Sequence, residues 1–196
     1  ASNTLTSAGD VDIFVLKYDT NGNEVWGKSL GNTSTDTGMG IATDSTGNVF
    51  VTGYFRITMT FASNTLTSTG TYDIFVLKYD TNGNEVWGKS IGGTGLNFGY
   101  GTATDSNGNV YVTGSFQGTM TFASNTLTSN GSDDIFVLKY DANGNEVWGK
   151  SLGGAGNDYG FEIATDSTGN VFVTGQFSGT MTFASNTLTS NGSDDI

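Results

Sequence analysis

Six aspartates, each opening an Asp-x-x-Gly-Asn segment, are the residues whose type and spacing point most directly to chemistry. They are Asp19, Asp44, Asp80, Asp105, Asp141 and Asp166. Each segment brings carboxylate and amide oxygens together, and hard cations such as Ca²⁺ bind several oxygens of this kind. The glycine comes too early for an EF-hand loop, however, and tight turns favour aspartate and asparagine for purely local reasons. The pattern therefore predicts structural turns, with calcium sites as the alternative.

The repeated glutamates Glu24, Glu85 and Glu146 could form a glycosidase pair with nearby aspartates. Such enzymes need two carboxylates that face each other across the substrate. Three equivalent copies argue against this role, because an active site brings unlike groups to one centre. The sequence has no histidine or cysteine, which excludes Ser-His and Cys-His nucleophiles. We therefore predict that the protein is not an enzyme and needs no cofactor, with calcium in the turns as the one alternative.

A period of 61 residues relates all of these positions. Trp26, Trp87 and Trp148 stand one period apart, and their neighbours repeat with them. The units are 1–61, 62–122, 123–183 and the beginning of a fourth at 184–196. A fixed period of this size is typical of arrays in which no unit can bury its own apolar face. We expect the three tryptophans to be structural core residues.

The composition favours an all-β protein and disfavours two classes of partner. The 196 residues include 30 glycines and no proline, and β-branched and aromatic residues supply most of the apolar content. A net charge of −12 disfavours nucleic acids and anionic membranes, because phosphates must be neutralised on binding. No apolar run approaches the roughly 18 residues of a membrane-spanning helix. An acidic chain rich in threonine, asparagine and glycine is instead expected in the extracellular space.

Two similar hairpins and one short additional hairpin are predicted in each repeat. Dense β-forming runs are bounded by Asn-Gly or Asp-x-x-Gly-Asn turns. In the first repeat the predicted strands are C at 12–18, D at 25–30, A at 41–43 and B at 49–55, and the additional hairpin is 58–61 with 65–67. Strand C is apolar on both faces, as expected of a strand packed between two layers.

Four antiparallel strands per unit, repeated radially, describe the blade of a β-propeller. The segment Asp-Ile-Phe-Val-Leu-Lys-Tyr-Asp-x-Asn-Gly-Asn-Glu-Val-Trp and the segment Ala-Thr-Asp-Ser-x-Gly-Asn-Val, with Gly-Gly links between them, resemble the bacterial β-propeller repeat called the SBBP repeat. The resemblance covers nearly the whole chain. It implies a propeller in a secreted or surface-exposed bacterial protein, often without an assigned activity, so it bears on fold and location more than on function.

Three repeats are fewer than the four blades with which propeller rings typically close. The sequence begins with strands C and D and ends after strands A and B and the start of another C, so its ends carry complementary half-blades. Because exposed sheet edges pair readily with other chains, we expect head-to-tail self-association. Three outcomes stay open: a closed ring of several chains, an open filament, or a longer array of which this sequence is a part.

Differences between the copies cluster in the B-to-C and D-to-A connections, which emerge on one face of an up-and-down blade. This variable face is a candidate binding surface for a glycan or a surface protein. Its candidate contacts are Tyr54, Arg56, Tyr72, Phe98, Tyr100, Tyr159 and Phe161. The simpler interpretation is that these loops drift because little packing constrains them. The sequence thus predicts an extracellular structural or adhesive scaffold that self-associates, and as an alternative a carbohydrate- or protein-binding module.

Overall fold

A computed structural model of the chain describes residues 4–192, and every regular element within that range is a β-strand. A search of these residues for a helix long and apolar enough to cross a membrane finds none. The predicted all-β class is confirmed. Residues 1–3 and the start of a further strand C predicted at the end of the sequence, 194–196, lie outside the described residues.

Hairpins form where the turn segments predict them. Strand β1 (Ile13–Tyr18) pairs antiparallel with β2 (Glu24–Leu30), and β3 (Thr37–Thr43) pairs with β4 (Val49–Phe55). In the first turn Gly22 has a φ of 82°, a left-handed conformation that glycine adopts without a steric penalty.

Two complete four-stranded blades form the middle of the array. The first consists of β3, β4, β7 (Asp73–Tyr79) and β8 (Glu85–Ile91), and the second of β9 (Asn97–Thr104), β10 (Val110–Phe116), β13 (Asp134–Tyr140) and β14 (Glu146–Leu152). These strands occupy positions A, B, C and D in that order. Position B of one repeat pairs with position C of the next, as Val51 pairs with Leu77. Each blade is therefore built across a repeat boundary.

A half-blade stands at each end of the described array. Strands β1 and β2 supply positions C and D at one end, and β15 (Tyr159–Thr165) and β16 (Val171–Gln176) supply positions A and B at the other. Within residues 4–192, each pair forms a sheet of two strands only. The two half-blades are complementary in strand position.

Short hairpins occupy the connection between positions B and C, as predicted. They are β5 (Thr58–Phe61) with β6 (Asn64–Thr67), β11 (Thr119–Phe122) with β12 (Asn125–Thr128), and β17 (Thr180–Phe183) with β18 (Asn186–Thr189). In β5 the buried residues Met59 and Phe61 alternate with exposed threonines. Both side chains belong to the same core cluster as Phe75 and Tyr79, so the hairpin is packed onto the array.

Position A is longer than the sequence predicts. Strand β3 begins at Thr37 instead of Ile41, so part of the predicted D-to-A link is strand. The added residues include Gly38 and Gly40, and the low β-propensity of glycine hides the strand from a pattern-based prediction. A register shift between these glycines marks a β-bulge. Several candidate contacts of the variable face consequently lie on strands and not on loops.

Face-to-face packing of the blades forms the core. In β7, Phe75, Leu77 and Tyr79 pack in a cluster with the first half-blade, whereas Ile74 and Val76 pack in a cluster with the second complete blade. All five side chains are almost completely buried. The prediction that strand C lies between two layers is confirmed for the complete blades.

A tryptophan at position D contacts the C-to-D turn of the next blade in the first two interior joints. A Cβ atom added to Gly83, in the C-to-D turn of the next blade, would lie 2.8 Å from the Trp26 ring. Trp26 Nε1 and Lys17 Nζ both donate hydrogen bonds to the carbonyl oxygen of Thr81, at 3.3 and 2.7 Å. Trp87 makes the same contact with a turn glycine one period later. Trp26 and Trp87 thus each hold the turn of the following blade.

We expect Trp87→Ala to lower the free energy of unfolding by about 2–3 kcal/mol, less than a fully buried tryptophan would lose, because this indole is only partly buried. The ring centroid of Trp87 lies 6.0 Å from that of Phe50 and 6.1 Å from that of Tyr140. Val86→Ala is the matched control, since Val86 lies on the same strand and is 46% exposed. Urea unfolding measures both variants, and equal stabilities would show that the indole does not hold the blades together.

Candidate functional site

Six aromatic residues of the variable face form one continuous row of ring contacts. The end of β4, the connection to β7 and the first halves of β9 and β15 contribute them. The row consists of Tyr54, Tyr72, Phe98, Tyr100, Phe161 and Tyr159, and the centroids of rings in contact lie 4.9 to 6.2 Å apart. Because these residues come from two blades and a half-blade, only the stacking of the blades brings them together.

The strands at position A set the geometry of the row. Phe98 and Tyr100 are two residues apart on β9, and their rings are nearly parallel, with 16° between the planes. Tyr159 and Phe161 repeat this arrangement on β15, with 4° between the planes. The residue of β3 equivalent to Tyr100 is Met39, so the aromatic character ends at β3. The aromatic row is therefore specific to one part of the array.

Polar groups accompany the aromatic row, and its rings are partly open to solvent. Phe161 is exposed and the other five rings are half-buried. Gln117 Nε2 donates hydrogen bonds to both carboxylate oxygens of the buried Asp133, at 3.2 and 3.3 Å, and the Tyr159 hydroxyl donates to the same carboxylate at 3.4 Å. Burial raises the pKa of Tyr100, and the nearby charge of Asp133 adds to this effect. The arrangement presents apolar ring faces beside fixed hydrogen-bonding groups.

Arg56 stands apart from the aromatic row. Its side chain is exposed, and its backbone is bound to the D-to-A link. Arg56 N donates to Asp36 Oδ1 at 3.1 Å, and the Arg56 carbonyl oxygen accepts from Asn32 Nδ2 at 2.7 Å. The structure thus gathers six of the seven candidate contacts, while a binding role for any of them stays a prediction.

Two buried polar positions, each occupied by aspartate or asparagine, lie where one blade meets the next, and the sequence did not predict them. In the middle joint Asn97 Nδ2 donates to Asp73 Oδ1 at 3.2 Å, and both residues are buried. In the following joint an aspartate, Asp158, replaces the asparagine. Burial raises the pKa of Asp134 there, and the charge of Asp158 raises it further. The sequence feature that could have indicated these buried residues is the aspartate that precedes every Ile-Phe-Val-Leu run.

These buried carboxylates hold the connections that carry the aromatic row. Asp158 accepts hydrogen bonds from the backbone N–H groups of Gly154, at 2.7 Å, and Ser178, at 3.1 Å. Asp134 accepts from the N–H groups of Asn130 and Gly131. Such bonds satisfy buried backbone donors and fix the link to the next blade.

The six turn aspartates direct their carboxylates into their own turns. Asp19 Oδ1 accepts from the backbone N–H groups of Asn21 and Asn23, each at 2.8 Å, and Oδ2 accepts from Asn23 Nδ2 at 2.7 Å. These bonds lower the pKa of Asp19, and the bond from the Asn23 side chain contributes most. The same three bonds recur at Asp44, Asp80, Asp105, Asp141 and Asp166. The geometry fits structural turns, and calcium binding stays a prediction.

The repeated glutamates tie the short hairpins to the blades. Glu85 Oε2 accepts a hydrogen bond from Ala62 N at 2.7 Å, and Glu146 Oε2 accepts one from Ala123 N at 2.7 Å. Each contact joins position D to the short hairpin of the same blade. The two glutamates therefore make equivalent contacts in separate blades, which a glycosidase pair facing one substrate would not do.

The first half-blade exposes a face that the complete blades bury. Phe14, Leu16 and Tyr18 of β1 are 67%, 42% and 55% exposed, whereas their equivalents in β7 are at most 1% exposed. A cavity of about 380 Å³ lies on this half-blade and is lined by Leu5, Leu16, Lys17, Tyr18, Glu24, Val25, Trp26 and Gly27. In the first complete blade the equivalent place holds Phe61, whose ring centroid is 4.9 Å from that of Tyr79.

The last half-blade exposes the reciprocal surface. A cavity of about 700 Å³ lies between it and the second complete blade, with Ile135, Val137, Trp148, Val173 and Phe183 among its lining residues. In the joint between the two complete blades, the equivalent space is filled by Phe136, Leu138 and Tyr140 of position C. Phe183, the equivalent of Phe61, is 63% exposed. Each end thus lacks the side chains that the other end exposes.

Two segments of the chain match a known repeat family. The sequence model of the SBBP family, described as a beta-propeller repeat, matches residues 25–54 and 147–176. Each matched segment covers positions D, A and B, that is, β2 to β4 in the first case and β14 to β16 in the second. The predicted resemblance to this family is confirmed.

Two curated proteins are similar to the chain. An uncharacterised WD repeat-containing protein of Acanthamoeba polyphaga mimivirus is 29% identical over an alignment of 194 positions, and the match covers 81% of this chain and 14% of that protein. The regulatory protein FlaEY of Caulobacter vibrioides is 29% identical over an alignment of 167 positions, and the match covers 82% of this chain and 18% of that protein. The chain therefore spans less than a fifth of the length of either relative.

We expect a chelator to leave the melting temperature unchanged, because each turn carboxylate accepts its hydrogen bonds from within its own turn. Thermal unfolding in EGTA and in excess Ca²⁺ measures this. Asp141→Asn, which removes the charge of one turn, is the matched variant. A melting temperature that falls in EGTA for the unmodified chain, and falls less for the variant, would identify calcium in the turns.

Proposed function

We propose that this chain, which carries SBBP β-propeller repeats, is a non-catalytic extracellular scaffold that self-associates head to tail through its two half-blades. The observation that carries the proposal is the reciprocity of the two ends: one end exposes Phe14, Leu16 and Tyr18, whose equivalents are buried between the complete blades, and the other end leaves a cavity of about 700 Å³ at the corresponding place. The acidic composition, with a net charge of −12, supports a soluble protein outside the cell.

The register of the proposed joint follows from the strand pairing seen inside the complete blades. Between positions B and C, Val49 pairs with Tyr79 and Tyr54 with Ile74. Transferred to the half-blades, Val171 of one copy pairs with Tyr18 of a second copy, and Gln176 pairs with Ile13. Strands β16 and β1 then complete one four-stranded blade from two copies, which pairs both open sheet edges.

The tryptophan clamp fits the same joint. Gly83 and Gly144 each lie against the indole of the preceding blade, but a Cβ added to Gly22 would meet no described atom within 4 Å. Trp148 correspondingly lines the open cavity of about 700 Å³. In the joint, Gly22 of a second copy covers Trp148, so every indole has a turn over it.

Two equivalent segments of the chain compete for one site in this joint, so one of them has to move away. Residues 4–9 are the equivalents of residues 187–192, and Leu5 corresponds to Leu188. Both leucines are exposed, whereas Leu66 and Leu127 at the same position of the complete blades are buried. Since one site accepts one leucine, association displaces one segment. The rotation that the joint imposes then decides between a closed ring and an open filament.

We expect the 196-residue chain to form oligomers in a concentration-dependent manner, and Phe183→Asp to weaken association about tenfold or more, as loss of an anchor side chain at an interface does. Phe183 is exposed in a single copy, so the substitution leaves the blades intact. Val86→Asp is the matched control, because Val86 is exposed but lies outside the joint. Analytical ultracentrifugation measures the association, and electron microscopy separates rings from fibres. A single-chain mass at every concentration contradicts the proposal.

The aromatic row favours a second function, the binding of a protein or a glycan. Half-exposed tyrosines and phenylalanines beside a fixed carboxylate resemble the anchors that dominate protein interfaces. One relative is named a regulatory protein, which fits a protein ligand better than a glycan. Tyr159 and Phe161 of this row lie on β15, which also belongs to the last half-blade, so binding and self-association have to be measured separately.

We expect Tyr100→Ser combined with Phe161→Ser to reduce ligand binding about tenfold or more, because two neighbouring anchors of the row are lost. Val147→Ser is the control, since Val147 is exposed on an outer strand. Binding is measured on glycan and peptide arrays, with the Phe183→Asp background used to remove avidity from self-association. An unchanged signal in the double variant, or no ligand on either array, contradicts this second function.

A further inference from the structure

Glycine at one position of strand A lets consecutive blades approach each other closely. A Cβ atom added to Gly40 would lie 2.6 Å from the carbonyl oxygen of Tyr100 in the next blade. One added to Gly101 would lie 2.8 Å from the carbonyl oxygen of Phe161. Both distances are shorter than real contacts allow, so the interior joints require a residue without a side chain here.

The third equivalent position carries Glu162. Glu162 pairs with Thr174 across the blade, in the register in which Gly40 pairs with Thr52 and Gly101 with Thr113. Its side chain is exposed. By this equivalence the Cβ atom and carboxylate of Glu162 project to the place where strand A of a following blade would lie.

The other contacts of the interior joint are available at this end. Thr104 Oγ1 donates to the carbonyl oxygen of Thr43 at 2.8 Å, and Thr165 Oγ1 donates to that of Thr104 at 2.7 Å. The exposed Thr43 of a second copy can donate to Thr165 in the same way. Ile41 of that copy, which is 60% exposed, corresponds to the buried Ile163. Among the contacts of strand A described for the interior joints, Glu162 is the departure.

We propose that Glu162 limits the strength of self-association by acting as a wedge between β15 of one copy and β3 of the next. The inference rests on the proposed head-to-tail joint and identifies the partner as a second copy of this chain. The facing strand, Thr37–Thr43, contains no basic residue, so the carboxylate would be desolvated without an ion pair. Glu162 must therefore turn aside or hold the two strands apart, and in the latter case the hydrogen bonds between them are lost.

The wedge makes two kinds of joint unequal. Joints within the chain contain glycine and close fully, whereas the joint between copies contains Glu162 and stays weaker. Stable blades joined by reversible contacts permit assembly that responds to concentration. A glycine at position 162 would instead make all joints alike and favour extended stacking.

Glu162→Gly tests the wedge directly. It is expected to tighten association about tenfold or more, since it removes both the steric conflict and the buried charge. Glu162→Ala keeps the Cβ atom and is expected to fall between the two, and Glu162→Gln keeps the size while removing the charge. Asp141→Asn is the control for charge, because it removes one carboxylate from a turn away from the joint. Sedimentation velocity over a concentration series gives the association constants.

Gly101→Glu is the matched variant at an interior joint. It is expected to lower the melting temperature of the chain, because the same side chain then meets the Phe161 carbonyl oxygen of the adjoining half-blade. An unchanged melting temperature would show that the joint tolerates a glutamate and would overturn the wedge.

The outcomes separate this inference from the proposed function. If Glu162→Gly associates and the unmodified chain does not, the wedge is supported and self-association of the unmodified 196-residue chain is refuted. If both associate with equal strength, the wedge is refuted and the scaffold function stands. If neither associates, both are refuted.

Discussion

Apolar contact between neighbouring sheets is the interaction on which this whole chain depends. A blade has two apolar faces, as Phe75 and Ile74 on opposite sides of β7 show, and a single sheet cannot bury both. Burial is therefore supplied by the blade before and the blade after, as in other arrays whose stability is a sum over neighbours. The half-blade at each end of the described array has a neighbouring blade on one side only. Its outward face is apolar for the same reason that the interior is stable, so the exposed apolar surface at each end and the stability of the fold have one origin.

The sequence predicts the hairpins well because their signals are local. Asn-Gly turns and dense β-forming runs need no knowledge of neighbours, and strands such as β4 and the short hairpins appear where these signals place them. The first half of the strand at position A was not predicted, because glycine has a low β-propensity. Packing between blades nevertheless requires a glycine at position 40. The hydrogen bond between Asp73 and Asn97 could not be predicted from local sequence, because it joins two different blades. The candidate contacts of the variable face were identified by their differences between copies, but their continuity as a row depends on stacking.

Identity of sequence does not make the copies identical in environment. Trp26 Nε1 donates a hydrogen bond to Thr81, whereas Trp87 Nε1 is buried and has no hydrogen-bond partner among the described residues. The residues that pack between blades repeat with little change, while those at the start of position A vary. Constraint and variation thus separate within a single strand: β15 contributes Ile163 to the core and Phe161 to an exposed surface. A repeat protein can in this way keep a uniform framework and still present a surface that is different at every copy.

Every blade is assembled from positions A and B of one repeat and positions C and D of the next. Because the offset is the same throughout, excision or duplication of any 61 consecutive residues rejoins equivalent points and leaves each sheet with its four strand positions in order. Unequal recombination within the gene would therefore change the number of blades without creating a faulty one. The number of blades can therefore change during evolution while the fold of each blade is kept.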